Sequence, residues 1–494
     1  MKDCIFEGQR PLVSEKDILC PTNVLDLMVA CWSENAANRP SSSELVTITS
    51  APEFTNLSDV AVLSGGEMSQ VAAVVVGNSD ELSSQSSPQC WLSRADGTFT
   101  VLGFNQFGFI DAETVGPLKS SQWTAIAEVG GHLWLGNAIG EISVFCVSSN
   151  QERASFHVET LDAGLQTSDL PINSSPYESR TIRSIGWFAE RSVLLIALPH
   201  AVLLCSRPQG GILPQWLATV RSEEFVNAST LLHSASDYQL WTAHDEARVV
   251  MHHLAGSTHR LLYSASASHS NRLEDGKRVK FLVPSRQSYG HAWSSLENDG
   301  RVFMWENGVI RRTLDCSKIL PVSESLSSMT IFDEEEGEMN GKDETIDEEN
   351  GRLRSGIGGK RSRITALSVY QTNLCVEQLV VGTSLGVIII LECKTVSHTV
   401  VIVQCSSLQL SPLTSFRTYT SAVETILCAN SQKPSGRQSK TNDEPGVAAD
   451  SYFVTIGRRY RNLIKRLALN VCDSTEQPED ANFAVVWQGD QWRT

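Results

Sequence analysis

The stretch LWLGNAIGEISVF, residues 133–145, contains a pattern that returns along most of the chain. A short apolar run with one tryptophan is followed by a turn that includes Gly140, and then by a second run of alternating character. Alternation with a period of two is typical of a half-buried β-strand, and glycine permits the positive φ that tight hairpins need. The stretch therefore predicts a β-hairpin.

Four further stretches repeat this hairpin: residues 89–101, 239–251, 291–305 and 379–391. Each is preceded by another strand-like run, such as 123–127 or 364–369, and is usually followed by one more, such as Ser397 to Ile402. Four strands in a unit of about 45 to 60 residues are typical of a β-propeller blade. Units starting near residues 59, 121, 181, 227, 278, 363 and 422 predict seven blades, and a β-sandwich is the alternative.

The first fifty residues have a different periodicity. Apolar positions between Val24 and Trp32 recur with helical spacing, and Ser41 and Glu44 have the spacing of a capping box. We therefore predict a mainly β protein in which residues 1–52 form the helices of an incomplete domain and residues 59–494 form the propeller.

Two polar insertions interrupt the predicted propeller, at residues 321–362 and 431–450. The first contains the run Asp333 to Glu349, in which ten acids and one lysine give a net charge of −9, more than half of the −16 of the whole chain. Few apolar residues are available there to offset the entropy of folding, so we expect both insertions to be disordered.

Composition excludes several classes of protein. A net charge of −16 disfavours a general nucleic-acid binder, and the N-terminus lacks the apolar segment of a signal peptide. The longest apolar stretch, Val193 to Cys205, is too short to span a bilayer, and no two cysteines lie close enough for a CxxC motif. These features predict a cytoplasmic protein with reduced thiols and without a transmembrane segment.

The helical segment resembles the closing helices of a protein-kinase C-lobe of the tyrosine-like group. The matching residues are Glu7 to Pro11, Pro21, Leu25, Leu27, Met28, Cys31, Trp32, Asn38 to Ser41, Glu44 and Leu45. The resemblance implies that Trp32, Arg39 and Pro40 are structural residues of the lobe. In that family the arginine at the position of Arg39 pairs with a glutamate of an upstream Ala-Pro-Glu motif.

The motifs that carry phosphoryl transfer are absent from the sequence. Catalysis needs a Gly-rich loop, a strand lysine, a catalytic-loop aspartate and a magnesium-binding aspartate in matching context. We therefore predict no catalytic, cofactor-binding or metal-binding residue in this chain. The chain does not match the Asp box of sialidases, because Asp96 stands one position late in that motif. His252 and His253 would face opposite sides of a strand, so we expect no metal site shared by these two histidines.

A kinase C-lobe followed directly by a propeller resembles the C-terminus of the ROCO family of leucine-rich-repeat serine/threonine kinases. Residues 362–386 resemble that family's penultimate blade, and residues 452–461 resemble its last. The resemblance implies a WD40-like scaffold in intracellular signalling, whose parent protein binds ATP with Mg²⁺ and also GTP. The alternative is a free-standing adaptor, similar to the tail of certain Rho exchange factors, with a vestigial kinase-like head.

The last predicted blade contains a group of basic residues. They are Arg458, Arg459, Arg461, Lys465 and Arg466. The family resemblance implies the hypothesis that they form a basic interaction face for acidic tubulin tails, and it separately implies other proteins or a second copy of the chain as partners. The alternative is that they are solvated charges on one pair of strands.

Overall fold

The computed structural model describes most of the predicted propeller and the helices before it. The described residues are 22–33, 35–63, 68–75, 89–105, 108–118, 122–129, 131–147, 149–162, 165, 180–188, 192–206, 213–233, 237–256, 259–269, 277–285, 290–319, 362–371, 377–400, 403–429, 452–461 and 481–488. Both predicted insertions lie outside them, except for Ser362.

Within these ranges, 28 strands form seven antiparallel four-stranded sheets, which we call blades 1 to 7. Blade 1 contains β2 (Met68–Val75), β3 (Gln89–Arg94), β4 (Phe99–Asn105) and β5 (Gly108–Val115). Blade 2 contains β6 (Trp123–Val129), β7 (His132–Asn137), β8 (Glu141–Cys146) and β9 (Glu152–His157). Blade 3 contains β10 (Ser184–Phe188), β11 (Val193–Leu198), β12 (Ala201–Ser206) and β13 (Gln215–Arg221).

Blade 4 contains β14 (Ala228–His233), β15 (Tyr238–Ala243), β16 (Arg248–Leu254) and β17 (Leu261–Ser268). Blade 5 contains β18 (Val279–Pro284), β19 (His291–Leu296), β20 (Arg301–Glu306) and β21 (Val309–Asp315). Blade 6 contains β22 (Ile364–Gln371), β23 (Glu377–Thr383), β24 (Val387–Val400) and β25 (Val403–Arg417). Blade 7 contains β26 (Val423–Ala429), β27 (Tyr452–Arg458), β28 (Asn482–Gln488) and β1 (Leu57–Leu63).

The first strands of neighbouring blades touch one another in sequence around a ring. β2 contacts β6, and the series continues through β10, β14, β18 and β22 to β26, which contacts β2 again. These strands therefore surround a central axis, and the other three strands of each blade extend outward from it. The seven-bladed β-propeller expected from the repeated hairpins is confirmed.

Blade 7 is closed by a strand from the beginning of the chain. β1 pairs antiparallel with β28, from Leu57 opposite Trp487 to Leu63 opposite Asn482. The prediction that the first blade starts near residue 59 is therefore wrong, since blade 1 begins at Met68. A local pattern identifies a strand, whereas its partner is decided by which exposed edge remains when the ring closes.

The core is divided among the seven interfaces between adjacent blades. Each interface has its own cluster of buried apolar side chains, as in the cluster that joins Trp134 of blade 2 to Ile196 of blade 3. The second and third strands pack against a neighbour on both faces. For this reason β11 is apolar and buried throughout rather than alternating.

The outer hairpin of blade 6 is longer than the sequence pattern suggested. Residues 397–400 continue β24, and Val400 pairs with Val403 at the tip of the hairpin. The prediction that Ser397 to Ile402 forms the fourth strand is therefore wrong, because that strand is β25. The β-branched residues of 397–402 fit either assignment, and only the pairing register distinguishes them.

Among the described residues, three α-helices precede the propeller: α1 (Thr22–Cys31), α2 (Ser42–Thr49) and α3 (Pro52–Asn56), with a 3-10 turn at Ala36–Asn38 between α1 and α2. The predicted capping box is present, since the Ser41 hydroxyl accepts from the Glu44 amide and the Glu44 carboxylate accepts from the Ser41 amide. Two short elements follow elsewhere, α4 (Val158–Leu161) and a 3-10 turn at Cys316–Lys318. No helix among the described residues is long and apolar enough to cross a membrane.

Gly386, in the turn between β23 and β24, provides a test of the contact between blades 6 and 7. Its φ is +74°, and a Cβ there would overlap the carbonyl oxygens of Tyr419 and Ser421. Gly97, in the corresponding turn of blade 1, has a φ of +83° with nothing within 4 Å of a Cβ. Gly97→Ala should therefore lower the free energy of unfolding only by the cost of placing alanine in the left-handed backbone conformation, about 1 to 2 kcal/mol.

We expect Gly386→Ala to lower the free energy of unfolding by at least about 2 kcal/mol more than Gly97→Ala does, because backbone atoms must move to relieve the overlap. Urea unfolding of the two variants beside the parent chain measures the difference. Equal losses of stability would show that the two blades do not meet at this turn.

Candidate interaction surfaces

The loops of the propeller form two opposite faces. We call the upper face the side at which each first strand begins and each second strand ends. On this side lie the turns between second and third strands, at residues 95–98, 138–140, 199–200, 244–247, 297–300 and 384–386. Loops held by a rigid scaffold are common binding sites, so the upper face is the first place to look for function.

Three of the sequence-predicted basic residues come together on the upper face of blade 7. Arg458 ends β27, and its Nε donates to a Glu424 carboxylate oxygen at 3.0 Å. Arg459 is exposed and has a φ of +55°, and Arg461 follows two residues later. The charge of Arg458 is therefore balanced within the blade. Lys465 and Arg466 lie outside the described residues.

The backbone around these arginines is fixed to the loop between blades 6 and 7. The Thr420 amide donates to the Arg459 carbonyl at 3.0 Å, and the Arg461 amide donates to the Thr418 carbonyl at 2.8 Å. The ring of Tyr419 lies against Gly457, where a Cβ would come within 2.8 Å of it. This packing explains why a glycine precedes the Arg458-to-Arg461 run.

Tyr419 extends from this loop into the interface between blades 6 and 7. Its hydroxyl lies 2.9 Å from the Thr455 hydroxyl, which also accepts a hydrogen bond from the Trp487 indole at 2.9 Å. Burial raises the pKa of Tyr419, so the phenol stays protonated and donates to the Thr455 carbonyl. The upper-face loop of blade 7 is thereby anchored in the core.

A similar bridge crosses the interface between blades 4 and 5. The Trp305 indole donates to the Ser294 hydroxyl at 2.8 Å, and Ser294 lies 2.7 Å from His269 Nε2. His269 Nδ1 lies 2.6 Å from the Ala247 carbonyl, to which it can only donate. When the ring is neutral, Nε2 of His269 therefore accepts a hydrogen bond from the Ser294 hydroxyl. The same sequence signal, a hydroxyl beside a tryptophan on the next strand, marks both bridges, although sequence reasoning missed it.

Two buried histidines of blade 4 form a variant of this bridge. The Thr242 hydroxyl lies 2.7 Å from His244 Nε2 and 3.0 Å from His252 Nε2. His244 Nδ1 lies 3.1 Å from the Phe225 carbonyl, so this network also positions an upper-face loop. His253 faces the other side of β16 and stacks on Tyr263, as the alternation of a strand predicts. The described residues contain no group of side chains suited to hold a metal ion.

Of the residues that resemble a kinase C-lobe, Glu7 to Pro11 and Pro21 lie outside the described residues, and the others lie in and after α1. Trp32 follows α1, and its amide donates to the carbonyls of Met28 and Val29. Arg39 is exposed, and its Nε donates to the Ser33 carbonyl at 2.8 Å, which closes the loop before α2. Pro40 is half-buried directly before the capping residue Ser41. Arg39 thus stabilises the helix–helix connection within this chain.

The three N-terminal helices pack together and against the propeller. Leu27, Ala30 and Ile48 form their buried core, and the Asn23 side-chain amide donates to the Phe54 carbonyl. Helix α1 contacts β1, and α3 contacts β25. We call these helices, residues 22–56, the head; they lie against the outer strands of blades 6 and 7.

Tyr460 connects this contact to the predicted basic face. Burial raises the pKa of its phenol, and the nearby carboxylates of Asp26, Glu53 and Asp59 raise it further. Asp26 belongs to α1, Glu53 to α3 and Asp59 to β1. Tyr460, within the Arg458-to-Arg461 run, therefore lies near carboxylates of both the head and the closing strand β1.

Comparison with curated proteins gives one relative over the whole chain. The chain is 25% identical across 530 aligned residues to leucine-rich repeat serine/threonine-protein kinase 1 of Caenorhabditis elegans, with 100% of this chain covered. The whole of this chain therefore resembles one part of a leucine-rich-repeat kinase. The resemblance to the ROCO family that the motifs indicated is confirmed. The chain spans 19% of the length of that relative.

The other comparisons add less. No protein-family model matches the chain. Among solved structures, a chain from a crystal structure of the mitotic checkpoint complex aligns with a TM-score of 0.47 at 10% identity, covering 88% of this chain and 93% of that one. The fold assignment therefore depends on the strand topology of this chain itself.

The network in blade 4 predicts a loss of stability in mild acid. Burial, followed by the charges of His244 and His253, lowers the pKa of His252 to about 4. Below about pH 6.5, His252 binds a proton in the unfolded chain but not in the folded chain. The free energy of unfolding therefore falls as the pH is lowered from 6.5 toward 4. Because the pKa of His252 is lowered from 6.5 to about 4, we expect this residue to account for about 3 kcal/mol of the loss, at roughly 1.4 kcal/mol per unit of pKa.

Urea unfolding between pH 4 and pH 7.5 measures this effect. His252→Gln cannot titrate and should flatten the acid side of the profile, whereas His132→Gln, outside the network, should keep the slope of the parent chain. A profile that His252→Gln leaves unchanged would contradict the assignment.

Proposed function

We propose that this chain is the scaffold portion of a leucine-rich-repeat serine/threonine kinase. The head would complete the C-lobe of the kinase domain, and the propeller would hold that lobe and recruit proteins. The observation that supports this most is the similarity to one such kinase over the whole chain, which includes the head as well as the propeller.

The packing of the head suggests how the propeller would act on a kinase domain. Helix α1 rests on β1, which is also the outer strand of blade 7. A shift of the lobe would therefore strain the strand that closes the ring, and a protein bound to blade 7 would act on the same strand. Regulation through this contact is a part of the proposal.

The chemistry of the parent kinase would come from residues other than these. The sequence has no Gly-rich loop with a strand lysine and no catalytic-loop or magnesium-binding aspartate in matching context. ATP and Mg²⁺ would bind to the part of the kinase domain that carries these motifs. GTP would bind to the Ras-like domain that the family resemblance implies. The proposed role of this chain is structural and regulatory.

Sequencing the transcript upstream of the Met1 codon tests the proposal directly. We expect an open reading frame that encodes, in order, the Gly-rich loop, the strand lysine and the two catalytic aspartate motifs. An in-frame stop codon before Met1 without these motifs would contradict it and favour the free-standing adaptor with a vestigial head.

The family resemblance further suggests acidic tubulin tails or a second copy of the chain as partners of the basic face. Arg459 is exposed and Arg461 is half-buried two residues later on the same loop, so these are the residues to change. Microtubule co-sedimentation should show binding that about 200 mM salt weakens and that Arg459→Gln with Arg461→Gln reduces severalfold.

Arg153→Gln with Arg312→Gln is the matched control, because these exposed arginines lie on the outer strands β9 and β21. Equal pelleting of both double variants would exclude the basic face as the tubulin site. Light scattering of the same samples reports on a dimer, which should dissociate in the Arg459 and Arg461 variant if this face joins two copies.

A further inference from the structure

The outer strand of blade 4, β17, differs in composition from the outer strands of the other six blades. Its sequence, LLYSASAS (Leu261–Ser268), contains no charged residue and no proline. Each of the other outer strands contains at least one charged residue: Asp111 in β5, Arg153 in β9, Arg221 in β13, Arg312 in β21, Arg417 in β25 and Asp59 in β1. Charges on an edge strand prevent other strands from pairing with it. Strand β17 lacks this protection.

Every second backbone amide of β17 points away from the propeller. The His269 amide, directly after the strand, donates to the Ala247 carbonyl at 3.1 Å. Because amides alternate in direction along an antiparallel strand, those of Ser264, Ser266 and Ser268 point outward. No strand among the described residues pairs with this edge. The edge therefore presents a row of hydrogen-bonding groups that a further strand can satisfy.

The pairing of β17 with β16 is regular where these amides lie. The residues from Tyr263 to Ser268 pair one to one with β16, and the shift of register in this pairing lies beside Leu262. A bulge deters further pairing, but this bulge stands near one end of the strand. The regular part has six residues and is about 20 Å long, which is enough for a short added strand.

The beginning of β17 is apolar and exposed. The side chains of Leu261, Leu262 and Tyr263 are 44%, 56% and 57% exposed. The Tyr263 ring stacks on His253, with 4.0 Å between the ring centroids, so the phenol is held flat against the blade. Three consecutive exposed apolar residues on an unprotected edge favour contact with another apolar segment.

Blade 5 supplies a second apolar wall beside β17. Its hairpin turn at Gly308 lies so close to β16 that a Cβ there would overlap the Met251 sulfur. The next residue, Val309, is exposed, and Ile310 packs against the same cluster as Ala265 of β17. Because alanine is small, an added strand could place larger apolar side chains on this side of β17.

The two sides of β17 favour different side chains in an added strand. Ala265 and Ala267 face the cluster between blades 4 and 5, so Ser266 and Ser268 face the opposite side. Apolar residues of the added strand would follow the alanines, and hydroxyl-bearing residues would follow the serines. A charged residue would lose hydration beside this uncharged strand without gaining a partner. The edge therefore selects an uncharged segment of alternating character.

The size of this edge fits a peptide segment better than a second copy of the chain. A stable dimer buries about 800 Å² on each partner. One strand edge with three exposed apolar residues provides only part of that area. Backbone hydrogen bonds to a single extended segment need no more than the edge itself.

We propose that β17 binds an extended, uncharged segment of a partner protein, which pairs with it as a fifth strand of blade 4. Backbone hydrogen bonds along the outer edge supply affinity. The alternation of alanine and serine supplies selectivity, together with the exposed apolar residues at the start of the strand. The inference rests on the proposed recruiting role and names the chemistry of the partner.

Fluorescence anisotropy of the full chain tests this site. The probe is a labelled peptide of about ten residues in which valine and threonine alternate between two terminal lysines. Ser266→Pro removes one outward amide and places the proline ring at the edge, while the hydrogen bonds to β16 remain. This variant should bind the probe about tenfold more weakly or worse. Hydrogen exchange of residues 261–268 in the parent chain should slow when the probe is added.

Thr313→Pro is the matched control. Thr313 is exposed in the middle of β21, the outer strand of the neighbouring blade. The Cys316 amide donates to the Gly300 carbonyl at 2.9 Å, so the alternation of the strand directs the Thr313 amide outward as well. This variant should bind the probe like the parent chain. If Ser266→Pro does not fold, Ser266→Lys beside Thr313→Lys makes the same comparison, because an edge lysine also deters pairing.

Three results would overturn the proposal. The first is equal affinity of the β17 and β21 variants, with both confirmed as folded by circular dichroism. The second is equal binding of a peptide with prolines at its two central positions, which cannot form a strand. The third is a dimer in light scattering that Ser266→Pro dissociates and Thr313→Pro does not, since a second copy would then occupy the edge. Because none of these measurements involves the sequence upstream of Met1, such a failure would leave the proposed scaffold role standing.

Discussion

The pairing of β1 with β28 is the constraint on which the rest of the structure depends. Six blades are built from consecutive strands, but the seventh obtains its outer strand from the other end of the chain. Ring closure therefore holds the two ends together, and the edge of β28 is covered rather than exposed. Because the head continues directly into β1, the same pairing fixes the helices beside blade 7.

Stability is distributed over the seven interfaces, and a small polar motif occurs in two of them. Trp305 with Ser294, and Trp487 with Thr455, join an indole to a hydroxyl, and the third member is His269 in one case and Tyr419 in the other. Each bridge satisfies buried polar groups and anchors an upper-face loop. The loops that would bind partners are thus held by the core.

Local features could be predicted from the sequence, and long-range pairings could not. Alternation and turn glycines identify the hairpins, and the Ser41 and Glu44 spacing identifies the start of a helix, because both signals are local. The partner of β1 leaves no such signal. The basic residues of blade 7 could be identified, but the pairing of Arg458 with Glu424 joins residues 34 apart and becomes visible only in the structure.

Hydrogen exchange followed by mass spectrometry on the full chain tests the closure of the ring most directly. If β1 completes blade 7, the amides of residues 57–63 that donate to β28 should be protected from exchange, as the amides of β28 are. They should also lose protection together with β28 when urea is added, and residues 22–31 should follow because α1 rests on β1. Rapid exchange of residues 57–63, with β28 and the other blades still protected, would contradict a propeller closed by its N-terminal strand.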